Sequence, residues 1–155
     1  MRSPYGLSLI ELVVILAVLG VLLALGAPRL NPDRQAVNQA ARGLAEQVVR
    51  ARLEAIRQNA FVGLLLDPGG AGRYLVFVDE NANGTLDTGE RVIQEVRFGQ
   101  GDWARVRLTD PTSPLVLLFD PRGIPQAFAG ASITLANRSG TYTRILEISP
   151  QGRVL

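Results

Sequence analysis

Apolar residues are crowded near the amino terminus of this chain and periodic through the rest of it. Residues 7–27 form an apolar run broken only by Ser8, Glu11, Gly20 and Gly26. A helix of that length spans roughly 30 Å, the hydrocarbon thickness of a bilayer. Pro28 then predicts a bend or a loosened junction. Asn31-Pro32-Asp33 reads as a helix restart, with Asn31 as the N-cap, Pro32 in the first helical position and Asp33 at the positive end of the dipole. Beyond it Val37, Ala41, Leu44, Val48, Ala51 and Ala55 recur at helical spacing, while Arg42, Glu46, Arg50, Glu54 and Arg57 fall largely elsewhere. An amphipathic helix ending near Asn59 follows from that pattern.

After Phe61 the period changes to two. Residues 61–66, 73–79, 90–98, 103–108, 115–120, 133–137 and 142–149 read as short strands, punctuated by Gly, Pro and Asn turns such as Pro68-Gly69-Gly70 and Pro121-Arg122-Gly123. The predicted class is α+β: a long amino-terminal helix, half transmembrane and half amphipathic, packed on an antiparallel sheet. One face of that sheet is expected to cover residues 37–60. The chain thus divides into a membrane segment at 7–30, an amphipathic helix at 31–60 and a β-rich globular domain at 61–155.

Composition mostly excludes. The 155 residues are 47% hydrophobic and contain no cysteine and no histidine, and all 16 basic residues are arginine. Disulfides, thiol nucleophiles, Ser-His-Asp catalysis, histidine-ligated zinc and lysine-bearing phosphate loops are therefore absent. The arginine bias fits a GC-rich coding sequence, and a formal net charge of +2 does not make a strongly basic surface. No carboxylate pairs with a recognisable catalytic partner set, so an enzyme is not expected.

Glu11 decides how the apolar run is read. A secretory signal peptide with Ala24-Leu25-Gly26 as its cleavage site is one reading, but the run is long for an h-region and Arg2 alone precedes it. A plain anchor is another. Neither accounts for a carboxylate that costs roughly 2.5–3.5 kcal/mol in mid-membrane. In a third reading the chain is cut after Gly6, which gives Leu7 a free ammonium one helical turn before Glu11. A neighbouring subunit staggered along a filament could then offer its ammonium to Glu11.

The segment GLSLIELVVILAVLGVLLALGAP resembles the amino-terminal signature of type IV prepilins and type II secretion pseudopilins. The resemblance implies a leader at 1–6, cleavage after Gly6 and methylation at Leu7 by a prepilin peptidase, and assembly guided by Glu11. It also implies an inner-membrane assembly platform and other pilins or pseudopilins as partners. The chain would be a single-pass inner-membrane protein, with its carboxy-terminal domain outside the cytoplasm, before it enters a pilus or pseudopilus. The carboxy-terminal half, through Phe77-Val78-Asp79-Glu80-Asn81, Phe119-Asp120-Pro121-Arg122-Gly123 and Ile148-Ser149-Pro150-Gln151-Gly152-Arg153, resembles the GspH/FimT-like minor pilins. The expected role is a structural subunit that initiates or caps a filament. Some FimT-like minor pilins are thought to take up DNA through a Gly-Arg-X-Arg element. Here Gly152-Arg153-Val154-Leu155 keeps the glycine and the first arginine, which makes Arg153 a candidate DNA contact and DNA uptake the alternative function.

Two further features carry candidate chemistry. Residues 79–90 match the spacing of an EF-hand loop. Asp79, Asn81 and Asn83 would supply side-chain oxygens, Gly84 the turn, Thr85 its carbonyl, Asp87 a direct or water-bridged contact and Glu90 a bidentate carboxylate. Calcium is the candidate ion, against a reading of the segment as a hairpin loop capped by its Asp and Asn side chains. Trp103, flanked by Arg105 and Arg107, reads as an inward-facing strand residue with the arginines in water, and alternatively as a stacking platform for single-stranded nucleic acid.

Overall fold

The computed structural model describes residues 8–26 and 31–155. Gly6, Leu7 and Pro28, with the expectations attached to them, lie outside the described residues. The chain separates into two compact units, with the division between Asn31 and Pro32.

In the first unit, helix α1 covers Leu9–Gly26 and carries Glu11 in its first turn. Its apolar residues lie on every side rather than along one stripe, and the large ones from Leu9 to Leu22 are all exposed. A helix with that surface requires lipid or other apolar helices around it. At 18 residues it is about 27 Å long. Among the described residues, no helix is long and apolar enough to cross a membrane. The expected segment at 7–30 exceeds α1 by residues 7, 8 and 27–30, of which only Ser8 is described, and it lies outside the helix.

The second unit opens with α2, Pro32–Gln58, which starts on the proline and has Asp33 in its first turn. Its buried face comprises the six apolar residues expected from the periodicity, together with Ala40. The helix ends where Asn59 enters the left-handed region at φ 50°. The Asn59 amide bonds the Ile56 carbonyl and the Ala60 amide bonds the Ala55 carbonyl, at 3.3 and 3.2 Å. These two bonds form a Schellman cap that satisfies carbonyls the helix itself cannot.

Seven strands follow: β1 Phe61–Asp67, β2 Arg73–Asp79, β3 Val92–Arg97, β4 Val106–Asp110, β5 Leu115–Phe119, β6 Ala131–Asn137 and β7 Thr143–Ile148. They form two antiparallel sheets, ordered β3-β2-β1-β5 and β4-β6-β7, and not the single sheet the alternation suggested. Period-two patterning says which residues share a face and is silent on which strands pair. Helix α2 packs on both sheets, and Val62, Leu64 and Leu66 of β1 meet its buried face together with Ile133, Leu135, Leu146 and Ile148. Trp103 also departs from expectation. Gly101–Trp103 is a 3-10 turn ahead of β4, Trp103 is half-buried against the core, and Arg105 pairs with Asp33 at 2.9 Å. The run Gly99-Gln100-Gly101, with both glycines at positive φ, turns the chain too tightly for a strand to start there.

Candidate functional site

The candidate residues fall into three places. Glu11 is the single charged residue of α1, and no described residue of the chain partners it by hydrogen bond or ion pair. Its carboxylate stands at the positive end of the helix dipole, which favours the charge but does not neutralise it.

The loop at 79–90 is organised by its own side chains. Asp79 is buried, and its two carboxylate oxygens accept the Asn83 and Gly84 amides at 3.2 and 2.7 Å. Asn81 Oδ1 accepts the Asn83 amide, and Asn83 Oδ1 accepts both the amide and the hydroxyl of Thr85. Glu90 closes the loop by accepting the Glu80 amide on one oxygen and the Asp87 amide on the other. Gly84, at φ 76°, makes the turn, and a Cβ built on it would lie 3.9 Å from Leu118 Cδ2, so the loop tip reaches Leu118 on β5.

Asn81 and Asn83 both donate their side-chain N–H groups to Asp87 Oδ2, at 2.8 and 2.6 Å. These two bonds hold the Asp87 carboxyl below its usual range, the Asn81 bond being the stronger cause. The side chains at the first, third, fifth, ninth and twelfth positions of the motif are thus drawn into one hydrogen-bonded unit. The donors are hard oxygens, as calcium requires. A cation between them would nevertheless need the two asparagine amides to turn their oxygens inward. Among the described residues, no three His, Cys, Asp or Glu side chains converge at metal-holding distance.

Arg153 lies in the turn after β7. Its amide bonds Ser149 Oγ at 3.1 Å, and its carbonyl accepts the Ser149 amide at 2.8 Å. Gly152 is buried at φ 71°, and a Cβ there would come within 2.9 Å of Phe119 and Pro125. Packing alone therefore demands that glycine, whatever Arg153 does. Arg153 shares a groove of about 480 Å³ with Val49 and Arg52 of α2. Neither Arg52 nor Arg153 forms an ion pair among the described residues. Sequence reasoning missed Arg52, because only the docking of the 152–154 segment on α2 brings it beside Arg153.

The turn between β5 and β6 is held by Asp120, which is buried. It accepts the Arg122 and Ile124 amides on one oxygen and the Arg122 guanidinium on the other. Burial pushes this carboxyl up, but the Ile124 amide and the two Arg122 contacts outweigh it and leave it below the usual range. The signature Asp120-Pro121-Arg122-Gly123 is thus a self-bonded corner, with Gly123 at φ 73° packed against Ile56 and Arg52.

The family model for the type II transport protein GspH matches residues 40–152, which takes in most of α2 and all seven strands. This chain belongs to the GspH family of pilin-like proteins. It is 56% identical over 151 residues to the pilin-like protein PilA1 of Thermus thermophilus, covering 96% of this chain and 95% of that one. No solved structure matches. Proteins of the GspH family are structural subunits, not enzymes, and they assemble with other pilins into a pilus or pseudopilus. In this GspH-family chain helix α2 packs on two antiparallel sheets, in keeping with a pilin head.

Proposed function

We propose that the chain is a minor pilin or pseudopilin, made as a prepilin and assembled through α1 to initiate or cap a type IV pilus or type II secretion pseudopilus. Residues 1–6 are its leader, and a prepilin peptidase cuts after Gly6 and methylates Leu7. Residues 7–30 hold it as a single pass in the inner membrane, with the head outside the cytoplasm, until the assembly platform extracts it. One observation carries this reading: a lone carboxylate, Glu11, in the first turn of a helix that is apolar on all sides. The ammonium of Leu7 in a neighbouring subunit neutralises that carboxylate, which is why the charge is tolerated in an apolar bundle. Glu11→Ala tests it. The head stays folded and cleavage proceeds, while incorporation into filaments falls about tenfold or more, since an ammonium left unpaired in an apolar bundle costs several kcal/mol. Normal incorporation of Glu11→Ala would overturn the pairing.

A second reading, a DNA-binding minor pilin acting in natural transformation, is favoured by the Arg52–Arg153 groove. Two phosphate contacts give weak, salt-sensitive binding. A gel shift at low and near-physiological salt tests it, and the reading fails if Arg153→Ala leaves a shifted band unchanged. The loop carrying Asp79, Asn81, Asn83, Thr85, Asp87 and Glu90 enters as a proposed weak, structural calcium site, on the strength of its oxygen spacing.

A further inference from the structure

The sheet β4-β6-β7 ends in β7, and β7 has one edge that β6 does not use. The chain itself uses part of that edge. Ile148 bridges Val154 in antiparallel fashion, the Leu155 amide donates to the Glu147 carbonyl at 2.9 Å, and the Ser149 amide donates to the Arg153 carbonyl. In an antiparallel ladder successive residues alternate between their two neighbours. The outward set that includes Glu147 and Ser149 therefore continues to Ile145 and Thr143. Among the described residues, no hydrogen bond meets the amides or carbonyls of Thr143 and Ile145 on that side.

This open stretch lies along a groove of about 330 Å³ between α2 and β7. Ala41, Ala45 and Leu146 give it an apolar lining, and Arg42 and Arg144 give it charge. Neither arginine forms an ion pair or a side-chain hydrogen bond among the described residues, and no acidic side chain lines the groove. One end of the groove is fixed by Tyr142, whose hydroxyl donates to Asn38 Oδ1 at 3.0 Å while the Arg34 guanidinium lies 4.8 Å from its ring centre.

We infer that this groove takes an extended, acidic segment of a neighbouring pilin subunit as a strand added to β7, with its carboxylates on Arg42 and Arg144. The unpaired backbone decides between the polyanions that two arginines might hold. Thr143 and Ile145 offer both N–H and C=O groups. A peptide strand satisfies both, whereas a phosphodiester accepts from the N–H groups and leaves the carbonyls without donors. The tail pairing at Ile148 and Val154 already shows that the edge geometry accepts a strand. The inference adds a contact between heads to the helix-borne assembly and does not depend on leader cleavage, so either can fail alone.

The test uses the unit Pro32–Leu155, which among the described residues contains the whole buried core. The probes are a short synthetic peptide alternating valine with glutamate, the same peptide with lysine for glutamate, and a DNA duplex of mixed sequence. Binding is followed by backbone amide NMR and by amide hydrogen exchange. The glutamate peptide is expected to bind, to shift the Thr143 and Ile145 amides and to slow their exchange, while the lysine peptide does not. Arg42→Glu and Arg144→Glu should each weaken binding about tenfold, as loss of a charge-assisted hydrogen bond implies. Ile145→Pro should abolish it and leave the β6–β7 ladder intact, because the N–H it removes faces outward. If a proline there disturbs the fold, the arginine variants decide alone. The inference is overturned by any of four results: no binding at millimolar glutamate peptide, equal binding of the lysine peptide, binding that leaves both amides unchanged, or capture of the duplex through Arg42 and Arg144 in place of the peptide.

Discussion

Asp120 shows how much of the head rests on single carboxylates. Removing its charge leaves two amides and a guanidinium with a weaker acceptor. Asp120→Asn should therefore cost about 1–3 kcal/mol, read as a lowered urea midpoint at neutral pH. The sign of the pH dependence follows from the direction of the shift. A carboxyl held below its ordinary value in the folded state contributes stability that is present above the unfolded value and is lost as pH falls through the folded one. Asp67 acts with the same sign, held down first by the Gly69 amide and then by Arg73. Glu95 does so through Arg97 and then Arg73. Acidification below about pH 4 should thus destabilise the head, and Asp120→Asn should flatten part of that fall. An acid titration of stability that is identical in the two proteins would contradict this account. For the loop at 79–90, calorimetry on Pro32–Leu155 is expected to show weak binding of calcium, and no heat at millimolar calcium removes the site.

At the scale of elements, α2 separates two kinds of apolar residue. Leu44 is fully buried, whereas Leu53, on the same helix, is 60% exposed. Leu44→Ala should cost about 2–5 kcal/mol and Leu53→Ala less than about 0.5, measured by denaturant unfolding of the head. Similar losses at the two positions would mean that α2 does not dock through its Leu44 face. This helix was also the most legible part of the chain. Its start at Pro32, its stop beside Asn59 and its buried face all follow from local chemistry, since capping and a 3.6-residue period are short-range effects. Strand positions were nearly as readable, because alternation and turn residues are local too. The division into two sheets was not, because it is decided by which distant strands meet. Trp103 misled for a related reason: the alternation begins only at Val106, with Val106 and Leu108 buried and Arg107 exposed, and Gly99 and Gly101 take the chain through a turn before it.

At the scale of the whole molecule, the two units read differently. The apolar helix and Glu11 pointed from the start to assembly rather than catalysis, and membership of the GspH family agrees with that. The head's own contact surfaces were not legible. Arg42, Arg52 and Arg144 are scattered through the sequence and become neighbours of Arg153 or of the open β7 edge only after α2, β7 and the 152–154 segment dock. The glycine of the Gly152-Arg153 pair acquired a different meaning as well, because packing against Phe119 explains it without any ligand.

The claim on which the proposed function turns is that α1 is delivered to a filament by cleavage beside Gly6. Intact-mass measurement of the mature protein purified from its membrane fraction tests it most directly. The expected mass is lower by residues 1–6 and higher by one methyl group, with Leu7 as the new amino terminus. A mature protein lacking everything through Gly26, or one retaining Met1, would contradict it.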